Sequence, residues 1–472
     1  VNYRKNHIKK NKWSEIMEQI GIPFPKQPRR TALFEVEDWY QHFLAEKIGK
    51  EYQPIKRSNF GQYNMAINYL TTVFEEAQAV NRVAAYNIDH MAQIEVSGND
   101  SLNLLERVLP ASLENMKAGQ CKYTLLVSEK GTVLDDLIIM RQEETKFILV
   151  INAGHDITDK EKGLTADADY IYSFKLDNED VKIRDISDEL VKIDIQGKLS
   201  YRVIKELYGQ HVLRNRNKPN KNMPFFSFNE FEYKSEKFII SRTGYTNRWG
   251  WELYVPVSLA EDEFKRIVVK VWENGGLLVG LGGRDENRIS AGTFGLPLYG
   301  HEYDDEHTPT NAPLFDAAVD MHKDDFVGKK ALAKDIESGN DKGMVLFITE
   351  GIVEGRGIYK NNKRIGTVTS SINSPNVSQD KREFIGSERR NVNGPDGRAA
   401  IGLGWVRPNP FEVDEDGNDV LQKNDKPVRI PLEFYREDEQ RNPKGKPILG
   451  YISGDGVNPA TAPKPLKHIE NL

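Results

Sequence analysis

The chain carries a single cysteine, Cys121, in 472 residues. An internal disulfide and any multi-cysteine zinc or iron–sulfur site are thereby excluded. Cys121 opens an apolar run, which predicts a packed thiol and not a nucleophile. No stretch approaches the apolar length of a membrane span. The N-terminus is basic (Arg4, Lys5, Lys9, Lys10, Lys12), but no apolar segment follows it, so a cytoplasmic protein without a signal peptide is expected. Charge of one sign is scarce too. A formal net charge of -6 with 29% charged residues makes no strong field and argues against nucleic acid as the partner. Several site signatures are missing: no Gly-x-Gly-x-x-Gly after a strand, no phosphate-loop lysine motif, no His-Glu-x-x-His. His90 and His301 stand alone, which predicts packed or hydrogen-bonded histidines and no metal.

What is present describes a polar globular chain, 38% hydrophobic, long enough for roughly two to four domains. Residues 1–58 are charged and contain Pro23-Phe-Pro25, and they predict an N-terminal extension wrapped on the core, with a helix near Val36–Ile48. Residues 59–335 predict an α+β core of two intertwined subdomains, the inner one over roughly 92–175. Within it a helix is expected over Thr71–Ala85 and another after Asn99-Asp100, carrying Leu102, Leu105 and Leu109 and closed by Pro110. Residues 157–187 read as a charged, weakly patterned connection. Strands are expected at Phe147–Ile151, at Val191–Ile195, from Phe238 and through Trp251–Val255, with a helix over Tyr201–Leu207. An amphipathic helix through Phe264, Ile267, Val268, Val271 and Trp272 stops at Gly275-Gly276. Residues 336–472 predict a β-rich C-terminal domain with long insertions. It contains a hairpin over Gly357–Thr369 around Asn361-Asn362, and loops at 376–400 and 409–427.

Polar side chains placed at turns and strand ends are the candidates for chemistry. Tyr123–Met140 predicts a hairpin in which Gly131 takes the positive-φ turn position. Its second strand interrupts Val, Leu and Ile with Asp135 and Asp136. Strand neighbours point to opposite faces, so only one of the two can share a face with Leu134 or with Leu137. The pair alone fits a solvated strand end as well as a functional carboxylate. Tyr245 lies in a Gly-Tyr-Thr turn that presents its ring. Glu252 alternates with Trp251 and Leu253 and so faces away from them, into solvent or a cleft. Arg284 follows Gly282-Gly283 at the start of a helix. Taken singly, each also fits a turn tyrosine, a solvated strand face or a surface arginine.

Together these segments resemble the glycine-cleavage T-protein (aminomethyltransferase) family. The motifs are Ile88-Asp-His-Met-Ala-Gln-Ile-Glu-Val-Ser-Gly98, Gly119-Gln-Cys-Lys-Tyr-Thr-Leu-Leu126 and Gly131-Thr-Val-Leu-Asp-Asp-Leu-Ile138. They continue with Gly244-Tyr-Thr-Asn-Arg-Trp-Gly-Trp-Glu252 and Gly280-Leu-Gly-Gly-Arg-Asp-Glu-Asn-Arg288. Leu298-Tyr-Gly-His-Glu302 and Phe326-Val-Gly-Lys-Lys-Ala-Leu332 complete the core match. They fall in family order over roughly residues 70–335, and Gly366-Thr-Val-Thr-Ser370 extends the match into the C-terminal domain.

The resemblance implies an α+β T-protein fold: three parts around a central folate channel, the last a β-barrel-like domain. It implies tetrahydrofolate as cofactor and transfer of a methyl or aminomethyl-derived carbon from a small donor to N5 of the folate. By matching position Asp135 would be the catalytic carboxylate and Glu252 would hydrogen-bond the pterin. Tyr245 and Tyr123 would line the channel, and Arg284 would contact the folate. A small-molecule donor and a carrier protein or partner enzyme are the implied partners. The chain departs from the family at Asn59-Phe-Gly-Gln-Tyr-Asn-Met65, where Phe-Ala-Gly-Trp is typical, at Lys198, where proline is common, and at the added Ser290–Pro297. These departures resemble branches that demethylate small molecules. A non-catalytic folate-binding protein, or a folate-binding partner of a separate oxidase, is the alternative. The Lys-Gly-Cys-Tyr-x-Gly-Gln-Glu signature of the iron–sulfur-linked relatives is absent.

Overall fold

The structure, a computed structural model, describes residues 28–153, 166–292, 294–304, 307–310, 312–339, 342–377, 399–407, 422–423, 426–427 and 430–453. The basic N-terminus, Pro23-Phe-Pro25 and most of the loops expected at 376–400 and 409–427 lie outside the described residues. The fold is α+β, as expected, and its C-terminal part contains a closed β-barrel. Among the described residues no helix is long and apolar enough to cross a membrane.

Two sheets stand face to face and define the centre of the molecule. The five-stranded sheet runs in the order Cys121–Val127, Val133–Glu143, Lys146–Ile151, Ala92–Ser97, Lys182–Asp185. One of its faces packs Leu126, Leu137 and Ile139 against Leu104, Leu105 and Val108 of the helix Ser101–Val108. The other packs Met140, Ile148 and Val150 against Phe228, Ile239 and Tyr254 of the second sheet. That six-stranded sheet runs Phe228–Tyr233, Glu236–Ser241, Gly250–Pro256, Leu190–Gln196, Ala84–Asn87, Leu277–Val279. Its outer face buries Val191, Ile193, Ile195, Trp251, Leu253 and Val255 against the helix Ala260–Glu273. Period-two alternation then turns Lys192, Asp194, Gln196, Glu252 and Tyr254 toward the five-stranded sheet.

The segment before the family-like core is knitted into this second sheet. The helix Phe34–Ile48 buries Val36, Tyr40 and Leu44 and ends at Gly49, whose φ of 64° closes it. Its Glu37 is buried, and a buried carboxylate needs partners. Arg57 Nη1 at 2.7 Å, the Tyr69 hydroxyl at 2.7 Å and Asn87 Nδ2 at 2.9 Å supply them.

The barrel closes through Gly343–Thr349, Ala400–Val406, Lys363–Asn373, Gly357–Lys360, Ile430–Glu437 and Pro443–Ile452. Asn361 and Asn362 take φ of 51° and 62° in the hairpin turn, as the sequence predicts. The helix Leu281–Ile289 joins the six-stranded sheet to this barrel.

Two expectations fail locally. The helix expected over Thr71–Ala85 is Val73–Ala79, started by a Thr72/Glu75 capping box. Ala84–Asn87 is instead a fully buried interior strand between Leu190–Gln196 and Leu277–Val279; there burial between two strands overrides the helix preference of alanine. The connection at 157–187 contains the helix Asp167–Tyr172 and the edge strand Lys182–Asp185. That strand is largely exposed, so no apolar alternation announced it.

Candidate active site between the two sheets

The Cys121–Glu143 hairpin delivers the first polar groups. Gly131 turns it with φ of 79°. The strand's pleat separates the two acids. Asp135 pairs with Leu126 and shares the helix-side face, fully buried. Asp136 pairs with Leu125 and shares the inter-sheet face with Ile138 and Tyr123. Asn152, just past Lys146–Ile151, ties both down. Its backbone N–H donates to Asp135 Oδ2 at 3.0 Å, and its side chain reaches Asp135 Oδ1 at 2.8 Å and Asp136 Oδ1 at 2.9 Å.

The expectation named Asp135 as the catalytic carboxylate. In the structure Asp136 shares the inter-sheet face, and Asp135 shares the helix-side face with Asn152 on both oxygens. Burial, and then the neighbouring charge of Asp135, push the Asp136 carboxyl up to about 7. The Tyr123 hydroxyl lies close enough to oppose that rise, although it makes no hydrogen bond of normal geometry. Asp136 in turn raises Tyr245 and Tyr303, after burial. These groups share one space.

The remaining candidates converge on it. The turn after Glu236–Ser241 carries Tyr245, whose hydroxyl donates to the Pro297 carbonyl. The Arg284 guanidinium lies over the Tyr245 ring, 4.8 Å from its centroid. Glu252 is 5% exposed; Lys192 Nζ is 3.2 Å from its Oε1 and the Thr243 hydroxyl donates to Oε2. Burial pushes the Cys121 thiol well up, and the charge of Glu252 adds to this, so the two sheets approach each other there. Cys121 is buried, as expected.

At the Tyr123 end a cleft of about 600 Å³ is lined by Cys121, Tyr123, Phe225 and Phe226, among others. Phe226 sits at φ of 57°, held there by its carbonyl accepting from Cys121 N at 2.8 Å and its N–H donating to the Arg242 carbonyl at 3.0 Å.

The sequence reading missed Asn152, Tyr303, Lys192 and Asp194. The alternation Lys192-Ile-Asp-Ile-Gln196 held a usable signal, since its apolar partners fill the core and leave a polar inner face.

Buried polar atoms without partners test what the channel can hold. Among the described residues these include the Tyr123 and Tyr303 hydroxyls, Arg284 Nε and His90 Nδ1. Donors, acceptors, aromatic rings and carboxyls thus lie together between the two sheets. A family model described as the GCVT N-terminal domain matches residues 53–323. With that match over more than half its length, the chain belongs to the GCVT, or glycine-cleavage T-protein, family.

Its relatives include the aminomethyltransferase of Natranaerobius thermophilus, 30% identical over 420 residues, covering 87% of this chain and 99% of the relative. The Bacillus subtilis aminomethyltransferase is 30% identical over 355 residues, covering 74% of this chain and 89% of its own. Among solved structures, the glycine cleavage system aminomethyltransferase T of Bartonella henselae superposes with a TM-score of 0.66. It is 23% identical, over 90% of this chain and 96% of that one, and it shares the fold.

Proposed function

We propose that this chain transfers a one-carbon unit from a small donor to tetrahydrofolate, as an aminomethyltransferase. Convergence supports the reading: Tyr123, Asp136, Tyr245 and Arg284 come from separate segments, the charge of Asp136 reaches Tyr123 and Tyr245, Arg284 lies over the Tyr245 ring, and Glu252 reaches Cys121 from the facing sheet. The unpartnered Arg284 Nε and tyrosine hydroxyls suit the carbonyls and ring nitrogens of a folate. Tetrahydrofolate supplies the nucleophilic nitrogen that accepts the carbon.

The chain's own residues hold and polarise. Asp136, with its carboxyl near 7, carries a proton or a negative charge at neutral pH, and as a carboxylate it stabilises positive charge developing on an aminomethyl carbon. Asp135 is a positioning residue that acts through Asn152. Arg284 on Tyr245 offers a cation and a ring face to the aromatic and anionic parts of the folate. Lys192 gives Glu252 a counter-ion inside the channel. A carrier protein or partner enzyme would present the donor, and the cleft beside Tyr123 is a route for it.

The test is incubation with tetrahydrofolate and a panel of donors, with the product read by mass. Methylene-tetrahydrofolate is the expected product. Methyl-tetrahydrofolate would instead assign the chain to the demethylases. Folate binding without turnover on any donor would leave a binding protein, or a partner of a separate oxidase, and would overturn the transferase reading.

A further inference from the structure

The hairpin face that carries Cys121, Tyr123, Leu125 and Asp136 packs on the second sheet at one end. At the other end it packs on the segment between the joining helix and the barrel. Tyr303 comes from that segment. It is 1% exposed and lies against Leu125, Val127 and Val133 of the hairpin, with Tyr123 alongside. A short turn holds it: Gly300 N donates to the Tyr303 carbonyl at 2.8 Å, and Tyr303 N donates to the Leu298 carbonyl at 3.3 Å. The preceding residue, Glu302, is fixed by Arg288 at 2.8 Å, and its carbonyl accepts from Trp405 Nε1 at 2.9 Å. A ring held this firmly has no structural need of its hydroxyl.

Yet that hydroxyl is there, shut off from water together with the Tyr123 hydroxyl. Among the described residues neither has a hydrogen-bond partner of normal geometry. A buried hydroxyl left unmet costs free energy, and phenylalanine would fill the same space without that cost. The third phenol of the group, Tyr245, is by contrast engaged, donating to the Pro297 carbonyl. The two free hydroxyls and the Asp136 carboxyl lie within reach of one another: Asp136 and Tyr303 both act on Tyr123, and Asp136 acts on Tyr303. Burial, and then the charge of Asp136, hold both phenols above their ordinary range, so each keeps its proton at neutral pH. Asp136, raised to about 7, is the member of the group that trades a proton readily there.

We propose that Tyr303 is a further catalytic residue of one-carbon transfer: its hydroxyl gives the donor's leaving oxygen or sulfur a proton, and Tyr123 passes the replacement on from Asp136. This rests on the transferase reading and deepens it. As the bond from N5 of tetrahydrofolate to the carbon forms, the bond from that carbon to the leaving atom breaks. Its electron pair stays on the leaving atom. An anion left in a dry space is costly, and a phenol proton waiting beside it removes the charge as it develops. Asp136 resupplies the proton through Tyr123 and stands as a carboxylate until it takes the proton that N5 releases. Protons and electrons then balance with no further reactant. A methylated ammonium departs as a neutral amine and leaves the relay idle, so the donor class that uses it carries its carbon on oxygen or sulfur.

The experiment gives the full chain tetrahydrofolate and a series of S-aminomethyl thiols whose leaving thiolates run from weakly to strongly basic. Wild type, Tyr303→Phe and Tyr123→Phe are compared for turnover, with tetrahydrofolate Kd and a thermal melt on each. Tyr303→Phe removes only an unmet hydroxyl and should melt within a degree or two of wild type. Its turnover should fall by about 10²-fold on the most basic leaving thiolate and by less than about threefold on the most acidic, with tetrahydrofolate Kd within about twofold. Tyr123→Phe, which cuts the relay one step earlier, should show the same dependence on the leaving group, and it carries the test should Tyr303→Phe not fold. Turnover unchanged across the series, or a loss equal on every donor, would overturn the assignment and leave the transferase reading standing. No turnover by wild type on any donor would overturn the transferase reading itself, and this assignment with it.

Discussion

Arg284 and Arg288 stand about one turn apart on the helix Leu281–Ile289, and their surroundings differ completely. Arg288 faces the barrel junction, 1% exposed. Asp285 meets it at 2.7 Å, Glu302 at 2.8 Å, the Leu296 carbonyl at 3.0 Å and the Ser370 hydroxyl at 2.8 Å. Glu302 is equally engaged, accepting also from Leu298 N at 3.0 Å and the Ser370 hydroxyl at 2.7 Å. Arg284 has a tyrosine ring beneath it and a buried Nε that nothing meets among the described residues. Both regions bury charge. The junction meets all of its charge from within the chain and so holds barrel to core. The channel leaves part of its polar surface unmet, which marks it as a place for a ligand.

The largest effect is expected at the junction. Arg288→Ala leaves Glu302 buried without its cation, and should lower unfolding free energy by about 3–5 kcal/mol, read by denaturant titration. A loss below about 1 kcal/mol would mean that the junction is not organised by this pair. At the channel the same kind of change should cost binding and not stability. Arg284→Met should weaken tetrahydrofolate binding by about tenfold, read by titration calorimetry, with a melting temperature within a degree or two of wild type.

The smallest effect is the pH dependence of the ligand-free chain. Burial raises Glu76 to about 8 and Asp136 to about 7, against ordinary values of about 4. Between about pH 4 and those raised values the folded protein holds protons that the unfolded chain has released. Stability should therefore be greatest at the acidic end of that window and fall as pH rises through it. Asp136→Asn should flatten part of this slope, read as melting temperature against pH. An unchanged slope would mean that Asp136 titrates as an ordinary exposed acid.

Much of the fold was legible because its signals were local. The Tyr123–Met140 hairpin declared itself by Gly131 and its apolar runs, and the helix Ala260–Glu273 by its spacing and its glycine stop. Ala84–Asn87 was not legible, because a short alanine-containing run becomes a strand only through the two strands that flank it. The site was legible as a set of motifs but not as a set of faces. The motif Val-Leu-Asp-Asp names two acids, and only the pairing of Asp136 with Leu125, and of Asp135 with Leu126, decides which one looks into the channel. Lys192 and Asp194 were hidden for the same reason. Their meaning depends on Glu252 arriving beside them from Gly250–Pro256, about sixty residues away in sequence.

Asp136 is the residue proposed here to serve one-carbon transfer to tetrahydrofolate between the two sheets. Its most direct test is carbon transfer from a ¹³C-labelled donor to tetrahydrofolate by wild type and Asp136→Asn, with folate affinity measured on the same samples. The predicted result is labelled folate from the wild type and a loss of about 10²-fold in the variant, with folate affinity within about threefold. Equal turnover by the two proteins, or no labelled folate from the wild type, would contradict it.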